Sequence, residues 1–412
     1  MRVLLIGRNA GFIKKCSVID PEVEVFIIEE PDILRKLKEF SSPNIKEIAE
    51  VKYHDSEEYM SIVKEWGQKY RFDLVVPGFE YSVKAANESA KYLNLPRIGD
   101  RGAAVFTNKV KLRDLCAEAG IPHPRYKKIT SIEELREFYN GSPIVFKPAN
   151  RQASIGVIRI NTEEEIASAY KETLNGESEV LIPDREIPCE YIAEDLVVGY
   201  EVSVECFVRN CKIIFINYTM QDGTVGRYFI EVGHEVPGNI PSSVTDKLYQ
   251  FKSRLVEAAN VNTAILHSEW KIEEGEPILI ECAARMPGDY IPKLISNAYE
   301  FDVHTAYINI LRNKDPHINN KHKNYILIQY FQSKPGRLKE INNLEIFDEL
   351  GDKLIEYSIT VQPGNDVPEL TSSWKRVGYF IIKDQSHEAL RKLAEKINDT
   401  VEFVMDITTG VS

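Results

Sequence analysis

No run of apolar residues in the sequence approaches the ~20 that a membrane-spanning helix requires. The first residues, MRVLLIGRNAGF, also lack the long apolar stretch and the small-residue cleavage site of a secretion signal. Only six of the 412 residues are cysteine, none stands in a Cys-x-x-Cys pair, and no histidine lies at a metal-ligand spacing from them. These absences argue against a membrane partner, a disulfide framework and a zinc site, and we expect a cytoplasmic protein.

Positive charge is in the minority, because 51 Lys and Arg against 63 Asp and Glu leave a formal net charge of −12. We therefore expect small-molecule partners rather than nucleic acid. Two common nucleotide motifs are missing as well. Residues 149–156 lack the GK[ST] ending of a Walker A loop, and residues 7–11 lack the G-x-G-x-x-G fingerprint. With 43% apolar and 28% charged residues the composition is globular, and the length predicts two or three domains.

The first 98 residues alternate short apolar runs with segments of helical spacing. The apolar runs are typical of buried parallel strands and lie at 2–6, 23–28 and 72–76. The segments of helical spacing lie at 56–69 and 81–93. This alternation predicts a doubly wound α/β domain over residues 1–98.

The pattern changes after that domain. A helix is predicted at 107–119, where Gly120 and the prolines beyond it form a stop signal. Strands are predicted at 143–148, 156–160, 190–197, 201–208, 211–218, 264–272 and 278–283, and helices at 162–173, 243–259 and 293–311. Segment 221–240 is rich in Gly and polar residues and is expected to be mobile.

A polar stretch from residue 313 indicates a second boundary. Beyond it, residues 313–412 are predicted to form an α+β domain with strands at 324–331, 354–361 and 376–383 and a helix at 387–397.

Two acids stand at matching places in neighbouring strands. If residues 264–283 form a hairpin centred on Gly275, Glu269 and Glu281 face each other. Directly opposed carboxylates repel, which is tolerated when a divalent cation lies between them, and Mg²⁺ with bound phosphates suits two such ligands. The alternative is a bulge that shifts the register and leaves both acids solvated.

Three basic side chains could reach phosphate oxygens. Lys109 opens a helix, and Lys147 ends an apolar strand before the polar loop at 149–156, whose backbone N–H groups could cover phosphates. Arg285 follows Glu281 by four residues and could fork onto a phosphoryl or carboxylate group. Taken singly, each is better explained as a surface residue, with Arg285 in an ion pair to Glu281; the loop is as well explained as a plain connection.

Acids also bracket the apolar segment around Gly199. Its edge backbone could bind an adenine, and the nearby acids could bind ribose hydroxyls. Glu201, Ser203 and Glu205 would share one face of the following strand.

Taken in this order, these features resemble the ATP-grasp superfamily of carboxylate–amine ligases over roughly residues 100–310. The matching stretches are T-N-K-V-K-L-R, P-I-V-F-K-P, A-E-D-L-V-V-G-Y-E-V-S-V-E, H-S-E-W-K-I and I-L-I-E-C-A-A-R. Many members carry E-x-N-x-R where this chain has Ala283 in E-C-A-A-R, which leaves the number of metal ions open. This departure is similar to the L-amino-acid ligases that make dipeptides.

The resemblance implies a role for each matching residue and an ATP-grasp domain at 99–312, with 122–200 as a smaller subdomain that covers the nucleotide. Arg285 and Lys147 would be catalytic. Glu269 and Glu281 would bind the metal. The other implied contacts are to nucleotide for Lys109, Lys147, Ser154, Gly156, Glu194, Asp195, Val197 and Glu201, and to substrate for Glu205, His234, Arg285 and Gly288. For His234 a plain loop position is an equal alternative, and Glu80, Tyr81 and Ser82 could line the pocket edge.

The implied reaction uses ATP with Mg²⁺, or Mn²⁺ in its place. ATP phosphorylates an amino-acid carboxylate, and a second amino acid attacks the acyl phosphate, which yields a dipeptide, ADP and phosphate. An alternative acceptor is a carrier protein or a natural-product amine. A further alternative from another class is a nucleotide-binding sensor without catalysis. The resemblance also suggests a homodimer formed through the first domain.

Overall fold

The computed structural model describes residues 1–152, 155–175, 181–223, 230–370 and 372–406. The N-terminal part is a parallel sheet flanked by helices, as predicted. Its strands are β1 (Arg2–Ile6), β2 (Glu24–Glu29), β3 (Ile45–Glu50) and β4 (Leu74–Pro77), in the order β3-β2-β1-β4. Its helices are α1 (Ala10–Ile19), α2 (Pro31–Lys36), α3 (Tyr59–Lys69) and α4 (Val83–Tyr92).

Two helices, α5 (Asp100–Val105) and α6 (Lys109–Ala119), lead to a small antiparallel sheet. Gly120 ends α6 in the left-handed conformation with φ 62°, which confirms the stop signal. The small sheet has the order β5-β8-β6-β7 and is covered by α7 (Ile132–Phe138) and α8 (Ile166–Leu174). Its strands are β5 (Tyr126–Ile129), β6 (Ile144–Pro148), β7 (Ile158–Ile160) and β8 (Tyr191–Asp195).

The next part supplies the strands that carry the predicted acids. They are β9 (Tyr200–Arg209), β10 (Lys212–Gly223), β11 (Glu231–Val236), β12 (Ala264–Glu273) and β13 (Glu276–Ala283), with helices α9 (Ser242–Ala258), α10 (Ile291–Tyr299) and α11 (Val303–Leu311). The helix predicted at 293–311 is therefore two helices, because Glu300 is left-handed with φ 54° and Asp302 caps α11. Segment 221–240, expected to be a mobile loop, contains β11; residues 224–229 lie outside the described residues.

The C-terminal part adds β14 (Tyr325–Tyr330), β15 (Gly336–Asn342), β16 (Leu354–Ile359), β17 (Asp366–Val367), β18 (Gly378–Asp384), α12 (His387–Thr400) and β19 (Glu402–Met405). β14 pairs with β11, so one eight-stranded sheet, β13-β12-β9-β10-β11-β14-β18-β16, runs across the boundary predicted at residue 313. A second sheet has the order β17-β15-β19.

Alternate side chains of the large sheet pack into two cores. On β9 and β12 one face, which includes Val204 and Leu266, packs on α6 and α9. The opposite face carries Phe207 and Ile265 into the core shared with the N-terminal sheet, α10 and α11. The polar side chains that β9 and β12 contribute to the predicted site continue this second face, so they point toward the N-terminal domain. Within the described ranges, every helix is too short or too polar to cross a bilayer.

Candidate active site

The hairpin of β12 and β13 brings the two predicted acids together. Glu269 pairs with Glu281 across the strands. The turn is centred between Glu274 and Gly275, both at positive φ (50° and 81°), rather than on Gly275. That turn alone would offset the acids by one residue. A register shift between Glu269 and Trp270 restores the pairing, so the bulge creates the opposition instead of destroying it.

Lys109 lies against this pair from the start of α6. Its Nζ is 2.9 Å from Glu281 Oε1 and donates a hydrogen bond to the carbonyl of Arg151 at 2.9 Å. Burial opposes its charge, but Glu281 and Glu80 outweigh that effect and raise the pKa of Lys109. The lysine is thus held protonated between the acids and the loop after β6.

Glu194 on β8 is enclosed by two cations. Its oxygens lie 2.8 Å from Arg113 Nε and 2.7 Å from Lys147 Nζ. Burial works against the charge of Glu194, but Arg113 and Lys147 bring its pKa down to about 2. Burial lowers the pKa of Lys147 despite Glu194. Glu194 lines the cavity and also holds Lys147 at its wall, and its contact with nucleotide stays a prediction.

The backbone beyond Glu194 lines the cavity as predicted, but its donors are partly used. The N–H of Asp195 donates to Arg125 O, and that of Leu196 donates to Pro143 O, each at 3.0 Å. Leu196 and Val197 also contribute apolar side chains to the wall.

The functional face of β9 and β12 carries a line of paired charges. Glu201 lies 2.7 Å from Lys271, and His267 lies 2.9 Å from Glu205 and 3.4 Å from Glu269. The two carboxylates raise the pKa of His267 to about 9 although burial lowers it. Glu205 is fully buried and accepts further hydrogen bonds from Ser203, Asn217 and Thr219. His267 lies between Glu205 and Glu269, and the predicted contact of Glu205 with substrate stays a prediction.

A cavity of about 420 Å³ connects these groups. Its wall combines apolar and charged side chains, which suits a flat base with a polyphosphate, and we call the part around Lys109, Glu269 and Glu281 the charged end. The apolar side chains are Pro124, Val145, Pro148, Ile155, Val157, Leu196, Val197, Ile230 and Ile280, and the charged ones are Lys109, Lys147, Arg151, Glu194, Asp195, Glu201, Asp222, Glu231, Glu269, Lys271 and Glu281.

Arg285 does not pair with Glu281, the alternative raised from sequence. Its Nε is 3.6 Å from Glu80 Oε2, and an Nη donates to Met286 O at 3.2 Å. Glu80 follows β4, and burial together with the Glu281 charge raises its pKa to about 7. The backbone N–H of Gln152, in the loop after β6, donates to Tyr81 Oη at 3.4 Å. The expected pocket edge at Glu80 and Tyr81 thus faces the charged end.

His234 lies in β11 rather than in a loop, and its Nε2 is 3.4 Å from Asp289. Gly288 is exposed, and the N–H of Ile291 donates to its carbonyl at the start of α10. Neither His234 nor Gly288 lines the cavity itself. Ser154 lies outside the described residues. Gly156 is left-handed with φ 71°, and a Cβ there would come within 3.3 Å of Pro148 and of the Thr173 carbonyl.

The sequence did not single out three residues whose side chains help to form the site, namely Arg113, Glu231 and Arg376. Arg113 shares a helix face with Lys109 and Cys116, all buried in α6, so a charged residue at an apolar position was the available signal. Glu231 and Arg376 are 145 residues apart and meet only through the fold. No local pattern marks them.

The carboxylates of Glu269 and Glu281 fit a divalent cation that takes further ligands from a bound phosphate. Within the described part of the chain, no cluster of three or more His, Cys, Asp or Glu residues could hold a metal alone. Glu269 and Glu281 are two opposed carboxylates at the charged part of the cavity, which is the partial protein ligation typical of Mg²⁺.

Comparison with known proteins agrees with this architecture. Residues 140–293 match the ATP-grasp domain family, and residues 329–406 match the L-amino acid ligase C-terminal domain 2. The alanine–anticapsin ligase of Bacillus subtilis (strain 168) is 23% identical over 325 residues, 74% of this chain and 67% of that protein.

Two solved structures share the fold. The L-amino acid ligase from Bacillus licheniformis superposes with a TM-score of 0.77 at 16% identity, over 98% of both chains. N5-carboxyaminoimidazole synthetase from Staphylococcus aureus, complexed with ADP, has a TM-score of 0.68 at 16% identity and 96% coverage of both chains.

Proposed function

Because the chain belongs to the ATP-grasp superfamily as an ATP-dependent, ADP-forming carbon–nitrogen ligase, we propose that it joins two L-amino acids into a dipeptide. The observation that carries this proposal is the charged end of the cavity. There Lys109, Glu269 and Glu281 adjoin Arg285 and Glu80, which are suited to a carboxylate and an ammonium group respectively.

In the first step the γ-phosphoryl group of ATP passes to the carboxylate of the donor amino acid. Lys109 and Lys147 lie where they would contact the phosphate oxygens, and Arg285 would hold the carboxylate that becomes the acyl phosphate. Mg²⁺ held by Glu269 and Glu281 would offset the negative charge of the phosphate oxygens. The protein contributes positioning and charge neutralisation rather than a covalent intermediate with its own side chains.

In the second step an amine attacks the acyl carbon, and phosphate leaves. Glu231 lines the cavity beside Glu269, and burial and the Glu269 charge raise its pKa. We assign it to the ammonium group of the acceptor, whose proton Glu231 would take up so that the neutral amine can attack. The loop after β6 would exclude water, which otherwise hydrolyses the acyl phosphate.

The acceptor could also be a natural-product amine or a carrier protein. The similarity to an alanine–anticapsin ligase favours a free, small amine among these. The name of that enzyme describes the joining of alanine to anticapsin.

The test is phosphate release from ATP with the twenty L-amino acids, offered singly and in pairs, with products weighed by mass spectrometry. Release that depends on a pair, with a new dipeptide mass, supports the proposal. ADP formation without a dipeptide for every pair would move the acceptor to another amine. Failure to bind ATP would contradict the function as a whole.

A further inference from the structure

Arg376 links the C-terminal part of the chain to the cavity. It follows a helical turn at residues 373–375 and precedes β18, and its side chain is 8% exposed. Its guanidinium carbon lies 3.8 Å from the centroid of the Tyr330 ring, so the group is stacked as well as buried. A guanidinium fixed in this way has one orientation to offer its partners.

Its partners come from two other elements. The Nη atoms donate to both oxygens of Asp289 at 3.0 and 3.1 Å, and one also donates to the carbonyl and carboxylate of Glu231 at 2.7 and 3.2 Å. Ser373 adds a hydrogen bond to the same Glu231 oxygen at 3.3 Å. Glu231 opens β11 and Asp289 precedes α10, so one side chain determines the spacing of both acids.

Without the guanidinium of Arg376, the carboxylates of Glu231 and Asp289 would repel each other. Burial and the charges of Glu269 and Asp289 raise the pKa of Glu231. The pKa of Asp289 instead falls well below its usual range, because His234 and Arg376 outweigh its burial. Glu231, the acid that lines the cavity, is therefore positioned by the charge of Arg376 in the C-terminal part.

We propose that Arg376 is a positioning residue for the acceptor amine: it holds Glu231, the acid assigned to that amine, in the cavity wall, and it also holds Asp289, whose other partner is His234. This inference rests on the proposed function. It assigns a task to the C-terminal part in the second step only. Lysine does not reproduce this arrangement, because a single ammonium nitrogen lacks the planar fork that binds both Asp289 oxygens and also reaches Glu231.

The experiment separates the two steps. Hydroxylamine traps an acyl phosphate as a hydroxamate and needs no ammonium-binding group. Arg376→Lys is assayed with the amino-acid pair that releases most phosphate in the screen above, and then with the donor amino acid plus hydroxylamine. Arg97→Lys is the matched control, since Arg97 lies away from the cavity and pairs with Asp100 at a distance of 2.5 Å.

We expect Arg376→Lys to raise the KM of the acceptor about tenfold or more, with the KM of ATP and hydroxamate formation within about twofold of the parent protein. Arg97→Lys should leave all three unchanged. A parallel loss of hydroxamate and dipeptide, or an unchanged acceptor KM, would overturn the assignment. A parent protein that forms neither product would instead refute the proposed function on which it rests.

Discussion

Glu269 and Glu281 place two negative charges at directly opposed positions, which is costly unless a cation is shared between them. Glu281→Gln keeps the shape and removes one charge, so turnover should fall by about 100-fold or more and need more Mg²⁺. Phosphate release across a Mg²⁺ titration measures both effects. Glu276→Gln is the control, because Glu276 lies in the same strand and pairs with Lys247 at the surface. An active Glu281→Gln protein with unchanged Mg²⁺ dependence would refute the metal assignment.

Glu194 neutralises two buried cations, so its loss should cost more than the loss of a surface acid. Glu194→Gln leaves Arg113 and Lys147 uncompensated, and we expect a destabilisation of about 3–5 kcal/mol in urea unfolding. Glu118→Gln, which breaks the exposed pair with Arg101, should cost less than about 1 kcal/mol. Equal costs for the two variants would contradict the buried role.

The same residue gives a pH dependence with a definite sign. The folded-state pKa of Glu194 is about 2, against an ordinary value of 4.5. A lowered pKa stabilises the fold above pH 4.5, and this stabilisation is lost as the pH falls toward 2. The difference between the parent protein and Glu194→Gln should therefore shrink over that window. A constant difference would show that the carboxylate charge is not the cause.

At the scale of single residues, the sequence was informative where chemistry sits in contiguous motifs. Lys109, Lys147, Glu201, Glu269 and Glu281 all reach the cavity as predicted. It was less informative about what each carboxylate contacts, since that depends on distant partners. The oxygens of Glu194 and Glu205 are bound by side chains from other elements, which no local pattern announces, and their ligand contacts stay predictions.

At the scale of elements, the hairpin turn is open to a direct test. Two-residue turns with positive φ at both positions favour Asn-Gly, and this chain has Glu274-Gly275. Glu274→Asn should stabilise the protein by roughly 0.5 kcal/mol and leave turnover unchanged, whereas Gly275→Ala should destabilise it by about 1 kcal/mol. Thermal unfolding of the two variants beside the parent protein measures both changes in stability. A stabilising Gly275→Ala would contradict the turn geometry.

Buried strands were predictable because their apolar runs are continuous, as in β1, β2 and β4. The edge strand β3 was not, because it reads I-K-E-I-A-E and only its alternate residues are even partly buried. The break between α10 and α11 was missed because both helices are apolar. Asp302, whose side chain accepts from the Thr305 N–H, was the available signal.

For the whole molecule, the large sheet predicts that the C-terminal part is not separable. β14 pairs with β11 through Gly233 to Val236, and Ile326, Leu327 and Ile328 on β14 are fully buried. A chain of residues 1–312 would expose an unpaired apolar edge and should aggregate. Size-exclusion chromatography of that chain beside the full protein measures this. A monodisperse, folded fragment would restore the independent domain suggested by the polar stretch at 313.

The small subdomain at 122–200, which we propose covers the nucleotide, is tied to the N-terminal sheet by a second long-range contact. Arg185 forks onto Glu30 at 2.6 and 3.0 Å, and Glu30 is fully buried where it also accepts two backbone N–H groups. The segment after Arg185 holds the loop that follows β6, because Arg151 donates to Ile187 O at 3.1 Å. Breaking this fork should therefore loosen the cover over the phosphates without touching a group that contacts them.

Arg185→Met should raise the KM of ATP by about three- to tenfold and increase the ADP formed per product, because water reaches the acyl phosphate in a looser cover. Arg159→Met is the matched control in the same subdomain, since Arg159 donates to Asn161 at 2.7 Å on the exposed surface. Coupled assays of ADP and of product give the ratio directly. If the KM of ATP and the ratio both stay at the values of the parent protein, the fork holds the two parts together without controlling the cover, and closure must depend on contacts nearer the nucleotide.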